Sequence, residues 1–420
     1  MKKILGAFLG ILVMWSVGQA QQIVLRVLME DIPETWIIEE LLPLFEKETG
    51  IRVEFEKMTY IGMHDKLVAQ LLAPVNAYDL MEVDFIWAGE FPAAGWLEPL
   101  EPYVQRSGFD LSPYLPSMLD LVGYYQGKLY MIPMYSYTMA LIYRTDLLNR
   151  PDLQEKYKAL YGRPLTVPET LEEYVNICKF MTEHAGIPGA AMQGMRGDPN
   201  FLEFANYLFA VGGDFVDENW NVILDSPEGR KALELYVENI TKAAPVGALN
   251  FNLDDTYRVM CQGGAWSFIS YWWMLPNLQD CPNVAGKLAI APVPGGSGVN
   301  GGWGWAIPWN SPHKEEAWKF ISWVESKEIV RLRALRGHAP TRIDILEDPE
   351  VLAKYPFYKD VLPIIAKAKK VPIFAYTAET EDVVGREISL ACTGAKTIEQ
   401  AIADAAKGLE ALLKKAGLLR

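Results

Sequence analysis

Residues 22–29 (QIVLRVLM) alternate apolar and polar side chains, the pattern of a half-buried or edge strand. A polar break holding Pro33 follows, and from Trp36 to Thr49 apolar positions recur at helical spacing until Gly50 stops them. Residues 51–55 read as a second strand, 64–72 as a second helix and 80–87 as a third strand. This β-α-β-α-β order, at spacings that suit parallel strands, predicts an open α/β sheet. Ligands of such sheets gather where strands end and loops begin. The loops in that position hold Glu30 and Asp31, residues 58–63, and residues 84–90.

An aromatic-rich stretch comes next, residues 124–143 (YYQGKLYMIPMYSYTMALIY), with a turn at Gln126-Gly127 and Pro133 punctuating strand-like runs. Helical periodicity marks 170–184, 201–211 and 227–242. Between them lie Gly212-Gly213-Asp214 and Asp225-Ser226-Pro227, which are turn and N-cap residues. Residues 288–293 form a strand pattern before the PGGSG of 294–298, and 301–308 (GGWGWAIP) reads as extended. Three more helices are expected at 314–326, 353–369 and 397–413. Strands that recur after residue 288 suggest a return to the first sheet, not a further domain.

Composition narrows the chemistry. A chain of 420 residues is too long for one core and suggests two or three domains. Its 39 Lys and Arg face 53 Asp and Glu, a net charge of −14, so phosphate backbones and anionic lipids are poor partners and no nucleic acid is expected. Four His leave little for zinc or His-based catalysis, whereas 13 Trp and 12% aromatic residues suit a neutral ligand with flat apolar faces and polar edges. The N-terminus has the form of an export signal. Lys2 and Lys3 precede an apolar run over 4–17, and Gly18-Gln19-Ala20 supplies the small residues of a cleavage site. The run falls short of the roughly 20 residues of a membrane-spanning helix, although an uncleaved anchor is the alternative. No Cys follows to take a lipid, which points to a periplasmic or secreted product. Of the four cysteines, Cys178, Cys261, Cys281 and Cys392, none has zinc-ligand spacing. An oxidising compartment permits pairing, and Cys261 with Cys281 is the nearest pair in sequence; buried free thiols are the other possibility.

The run YDLMEVDFIWAGEFPAAGWLEPL at 78–100 resembles the sugar-binding proteins of bacterial ABC importers, the group with maltose- and trehalose-binding members. The resemblance continues through KLYMIPMYSYTMALIYRTDLL, FLEFANYLFAVGGDF, MCQGGAWSFISYWW, GGWGWAIPWNSPHKEEAWKFISW, HAPTR and TIEQAIADA, in family order over nearly the whole chain. It implies an α/β fold of two lobes, each a mainly parallel sheet flanked by helices, that close on a hinge around carbohydrate. The implied division is a signal peptide at 1–20, a first lobe of 21–134 with 294–332, and a second lobe of 138–290 with 338–420. Hinge crossings then fall at 135–137, 291–293 and 333–337. The implied partner is an ABC permease, and the protein is expected to act as a monomer without metal or cofactor.

A sugar offers C–H faces to aromatic rings and hydroxyls to carboxylates, and the resemblance places such groups. Asp84 and Trp87 lie in a family contact segment, against the alternative of a turn cap and a packing ring. Glu30 and Asp31 follow strand one, Tyr60 follows strand two, and Tyr137 sits at the hinge. Glu90 is either a helix cap or a ligand contact. Within GAWSFISYWW the expected stacking rings are Trp266 and Trp272, with Tyr271 in reserve. Gly302 and Trp303 match a glycine-rich contact strand, and Arg342 matches a family Arg that reaches hydroxyls, or else pairs with Asp344 or Glu347. The rival function is a secreted glycoside hydrolase, which needs two carboxyl groups flanking one bond. Glu30, Asp31, Asp84 and Glu90 all belong to loops of one lobe, so no catalytic residue is assigned.

Overall fold

The computed structural model describes residues 22–74 and 77–419; the expected signal segment, 1–20, lies outside the described residues. Strand β1 (Val24–Glu30) pairs in parallel with β2 (Arg52–Met58) along its whole length and with β3 (Leu80–Asp84) on its other side. A short hairpin, β4 (Tyr124–Tyr125) and β5 (Lys128–Leu129), turns at Gln126 and Gly127, both at positive φ. Then come β6 (Met131–Ser136), β7 (Met139–Arg144), β8 (Ser267–Tyr271), β9 (Leu288–Ala291) and β10 (Gly302–Ala306). The first sheet has the order β2-β1-β3-β10-β6, the second β8-β7-β9.

Each sheet contains one strand that runs against its neighbours. β10 is antiparallel to both β3 and β6, and β7 is antiparallel to both β8 and β9. The first sheet is therefore mixed and both strand pairs of the second are antiparallel, a correction to the mainly parallel expectation. β10 is the late strand that returns to the first sheet, where Trp303 faces Asp84 and Trp305 faces Glu82.

Prolines account for two helices that the periodicity merges. The expected 36–49 helix is two, Pro33–Glu39 and Leu42–Thr49, and Pro43 restarts the second where no N–H is needed. Gly50 ends it at φ 72. The expected 353–369 helix divides into Pro349–Lys354 and Tyr358–Lys367 around Pro356. The third strand stops at Asp84, and Phe85–Trp87 is a 3-10 turn.

The chain passes from the first sheet to the second at Tyr137-Thr138 and back between β9 and β10. Near the second passage, Lys369 donates its N–H to the Gly298 carbonyl at 2.9 Å, and Asn300 donates to the Lys369 carbonyl at 2.7 Å. The sequence places a third passage at 333–337, but the next residues still belong to the first sheet. Ser136 donates to the Ala339 carbonyl, Thr341 to the Pro133 carbonyl, and Leu115 to the Thr341 carbonyl. The return lies further along, and helices Thr377–Cys392 and Ile398–Lys415 pack on Asp198–Ala210 and Pro227–Lys242 beside the second sheet. Cys261 and Cys281 are disulfide-bonded, while Cys178 and Cys392 are free thiols, both pushed up to about 12 by burial. Among the described residues no helix is long and apolar enough to cross a membrane.

Candidate functional site

The ends of β1, β3 and β8 meet the β6–β7 passage between the two sheets, and each brings a polar group. All five residues of β3 are buried, and Glu82 among them sits at 0% exposure. It accepts the Glu30 N–H and the Tyr135 hydroxyl, the latter at 3.1 Å. Burial nevertheless pushes its carboxyl up to about 8. Two residues on, Asp84 accepts the Tyr60 hydroxyl at 2.9 Å through Oδ2, and its Oδ1 is buried without a partner. Burial, and then Asp198, pushes Asp84 up to about 8. Glu30, at the end of β1, is raised by burial and by Glu82, Asp84 and Glu34. Glu34, in the first turn of helix Pro33–Glu39, is 1% exposed and raised to about 8 by burial.

The opposite wall comes from the second sheet's helices. Asp198 opens helix Asp198–Ala210, and Glu381 lies in Thr377–Cys392. Each carboxyl group acts on the other, and burial raises both. Glu381 also feels Asp84 across the gap. The walls are in contact at their rim, where the Phe374 carbonyl lies 2.4 Å from where a Cβ on Gly89 would stand. Only glycine allows that approach.

Aromatic rings complete the enclosure. Tyr60 stacks on Trp87 with centroids 5.6 Å apart and planes at 11°, and Trp303 meets both edge-on. Tyr137 is stacked between Tyr135 at 4.7 Å and Trp273 at 5.4 Å, with Tyr271 at 5.2 Å. The Tyr137 hydroxyl and the Trp273 Nε1 are buried and unpartnered. A buried polar atom without a partner costs about 1–3 kcal/mol. Asp84 Oδ1, the Tyr137 hydroxyl and Trp273 Nε1 all lie among these rings, which favours an occupant with hydroxyl-like donors and acceptors.

The structure thus brings together Glu30, Tyr60, Asp84, Trp87, Tyr137, Tyr271 and Trp303. Five other expected residues are engaged elsewhere. Asp31 is exposed and accepts the Trp36 Nε1–H at 2.6 Å, because the chain turns outward at the end of β1. Trp266 precedes β8, at the opposite end from Tyr271, and packs against Tyr143 and Tyr174 at 0% exposure. Trp272 turns away to Phe357 and Tyr358, and Trp273 faces Tyr137 in its place. At Gly302 a Cβ would collide with Met118 and the Tyr135 carbonyl, so this glycine serves packing, not ligand approach. Arg342 forms a two-pronged pair with Asp344 at 3.0 Å and lies over Tyr114, the pairing alternative. Glu90 is bonded to His64 at 2.7 Å.

Sequence reasoning missed Glu34, Glu82, Tyr135, Asp198, Trp273 and Glu381. Glu82 had a signal, an acid inside the apolar run LMEVD; Asp198 and Glu381 are brought in from separate helices and had none.

The bacterial extracellular solute-binding protein model matches residues 30–330. A probable amino-acid ABC transporter periplasmic-binding protein of Sinorhizobium fredii is 25% identical over 390 residues, 90% of this chain and 86% of that protein. Among solved structures, an ABC transporter solute-binding protein from Agrobacterium radiobacter in complex with ribitol is 27% identical with a TM-score of 0.83, covering 93% of this chain and 98% of that one. T. maritima MalE3 with maltose bound is 29% identical with a TM-score of 0.82, covering 93% and 100%.

Proposed function

The chain belongs to the bacterial extracellular solute-binding protein family, and from that premise we propose that it captures a carbohydrate for an ABC permease. The ligand class is a sugar, oligosaccharide or polyol, held in the gap between the lobes. The observation that carries this reading is the enclosure itself, with Asp84 Oδ1, Tyr137 hydroxyl and Trp273 Nε1 buried unpartnered among stacked rings. Maltose and ribitol in the structural relatives are consistent with it. Glu30, Tyr60, Asp84 and Tyr137 meet hydroxyls; Trp87, Tyr271, Trp273 and Trp303 cover C–H faces.

The first lobe holds β1–β6 with β10, the second β7–β9 with the late helices, and the passages at Tyr137-Thr138 and between β9 and β10 are the hinge. Ligand favours closure only as far as it binds the closed form better than the open one. The protein is exported by a cleaved signal at 1–20, works as a monomer and releases its ligand chemically unchanged. The hydrolase rival gains one point from the structure, since Asp198 and Glu381 face Asp84 from the other wall. A thermal-shift screen against sugars and polyols, followed by recovery of the stabilising compound, tests both readings. Stabilisation with unchanged ligand is expected; a cleaved product overturns the transport reading, and no stabilisation by any sugar or polyol overturns the ligand class.

A further inference from the structure

Five carboxyl groups meet between the lobes and a sixth, Glu82, lies behind them within the first sheet; among the described residues almost no positive partner acts on them. Glu30, Glu34, Glu82 and Asp84 come from the first sheet's side, Asp198 and Glu381 from the second. The charges that act most strongly on them are one another's, joined by Asp254 on Glu30. Arg333, beside Glu34, is the one cation among those influences, and it is committed to Glu325 at 2.6 Å with both side chains fully buried. Burial alone holds Glu34 up to about 8, while burial and neighbouring carboxyl groups hold Glu82 and Asp84 there.

Two groups outside this acidic set also point to an occupant. The Tyr137 hydroxyl and Trp273 Nε1 are unpartnered, on residues each 7% exposed, and Tyr137 lies in the field of Glu34 and Glu30. A neutral sugar needs few carboxylates, because one can accept two hydroxyls. A cation among stacked rings and carboxylates gains from both, since aromatic faces attract positive charge. A solute with its own carboxylate or phosphate would have to place that group beside these acids, which burial penalises.

We propose that the cleft selects amine-bearing members of the polyhydroxylated class, with a protonated amino group held among Asp84, Asp198 and Glu381 and hydroxyls on the remaining acceptors. This rests on the carbohydrate reading above and adds a charge to it. An ammonium beside these carboxyls favours their ionised form, so protons held in the empty cleft leave as the ligand enters.

Calorimetry with matched pairs separates the two claims: glucosamine against glucose, galactosamine against galactose, and glucamine against sorbitol. The wild-type protein is titrated near pH 7 at low and high salt, in two buffers of different ionisation heat. The amine of at least one pair is expected to bind about tenfold tighter than its hydroxyl partner, to release protons and to lose part of its advantage in salt. In Glu381→Gln and Asp198→Asn, each checked for cooperative unfolding, the amine-to-hydroxyl ratio should fall toward one. The buffer-dependent heat needs no variant and stands if either fails to fold. Equal or tighter binding of the hydroxyl partner overturns this inference and leaves the carbohydrate reading in place. Binding of neither partner in any pair overturns the inference, and the thermal-shift screen then decides the reading beneath it.

Discussion

Replacing Glu82 by Gln removes one titrating group from a fully buried strand while keeping its shape and an acceptor oxygen. Glu82 is a good site for this because its surroundings, β3, β10 and β6, all belong to one sheet and stay together whether the lobes open or close. Its carboxyl is pushed up to about 8 by burial, against an ordinary 4.5, while the Glu30 N–H and the Tyr135 hydroxyl pull it back. The folded chain therefore keeps this proton over a range in which the unfolded chain has lost it. Between those limits the native state binds one more proton, and each pH unit lowers stability by about 1.4 kcal/mol. The contribution is whole below the unfolded value, is lost as pH rises toward 8, and is level above it. From pH 5 to 8 it amounts to about 4 kcal/mol. Urea unfolding of the unliganded protein, followed by tryptophan fluorescence at each pH unit, measures it. The wild type should lose stability across the range, and Glu82→Gln should lose it less steeply, by up to about 1.4 kcal/mol per unit. Some slope remains in the variant, since Glu34 and Asp84 are raised in the same direction. Parallel profiles for the two proteins would refute the reasoning.

Trp273→Ala should weaken ligand binding by about 2–4 kcal/mol, whereas Trp266→Ala should leave affinity intact and cost about 3–5 kcal/mol of stability; calorimetry and urea melts on both variants test the pair. Reducing the Cys261–Cys281 bond, which closes a loop of sequence separation 20, should cost about 3 kcal/mol, read as a lower Tm in reductant that a Cys261→Ser, Cys281→Ser double variant reproduces without it. Arg333→Met leaves Glu325 buried without its partner and should destabilise by about 3–5 kcal/mol at neutral pH, with part recovered in acid as Glu325 takes a proton. If the loss is the same at pH 5 and pH 8, the buried charge is not its cause.

Local pattern carried much of the first lobe. The alternation at 22–29 and the periodic runs after it mark β1, β2 and their helices, because one face of each must be buried and the sequence repeats with that face. The same signal marked the strand-end loop at 84–90, and the family resemblance singled out Asp84 and Trp87 within it. It failed at the second wall for a physical reason. Trp272 and Trp273 are adjacent and equally aromatic, and only the direction in which the chain leaves β8 decides which one meets Tyr137. Trp266 shares their composition but stands a full strand length away. Asp198 and Glu381 look like ordinary helix acids, and nothing local says that two helices will bring them together opposite Asp84. Pro43 and Pro356 were visible, yet periodicity alone ran through both.

The position of β10 also bears on how the chain reaches this state. β10 lies between β3 and β6, although all three strands of the second sheet are synthesised before it. The second sheet can assemble as soon as β9 has emerged, while the first waits, divided in two, for Gly302–Ala306. Pairings of such long range are slow to form, because the loop between the partners must close before any contact rewards it. A chain halted before residue 302 would present open edges on β3 and β6, the kind of edge that recruits other strands. Newly made chains are therefore most prone to aggregate late in synthesis, and a chaperone that delays folding would be of most use there.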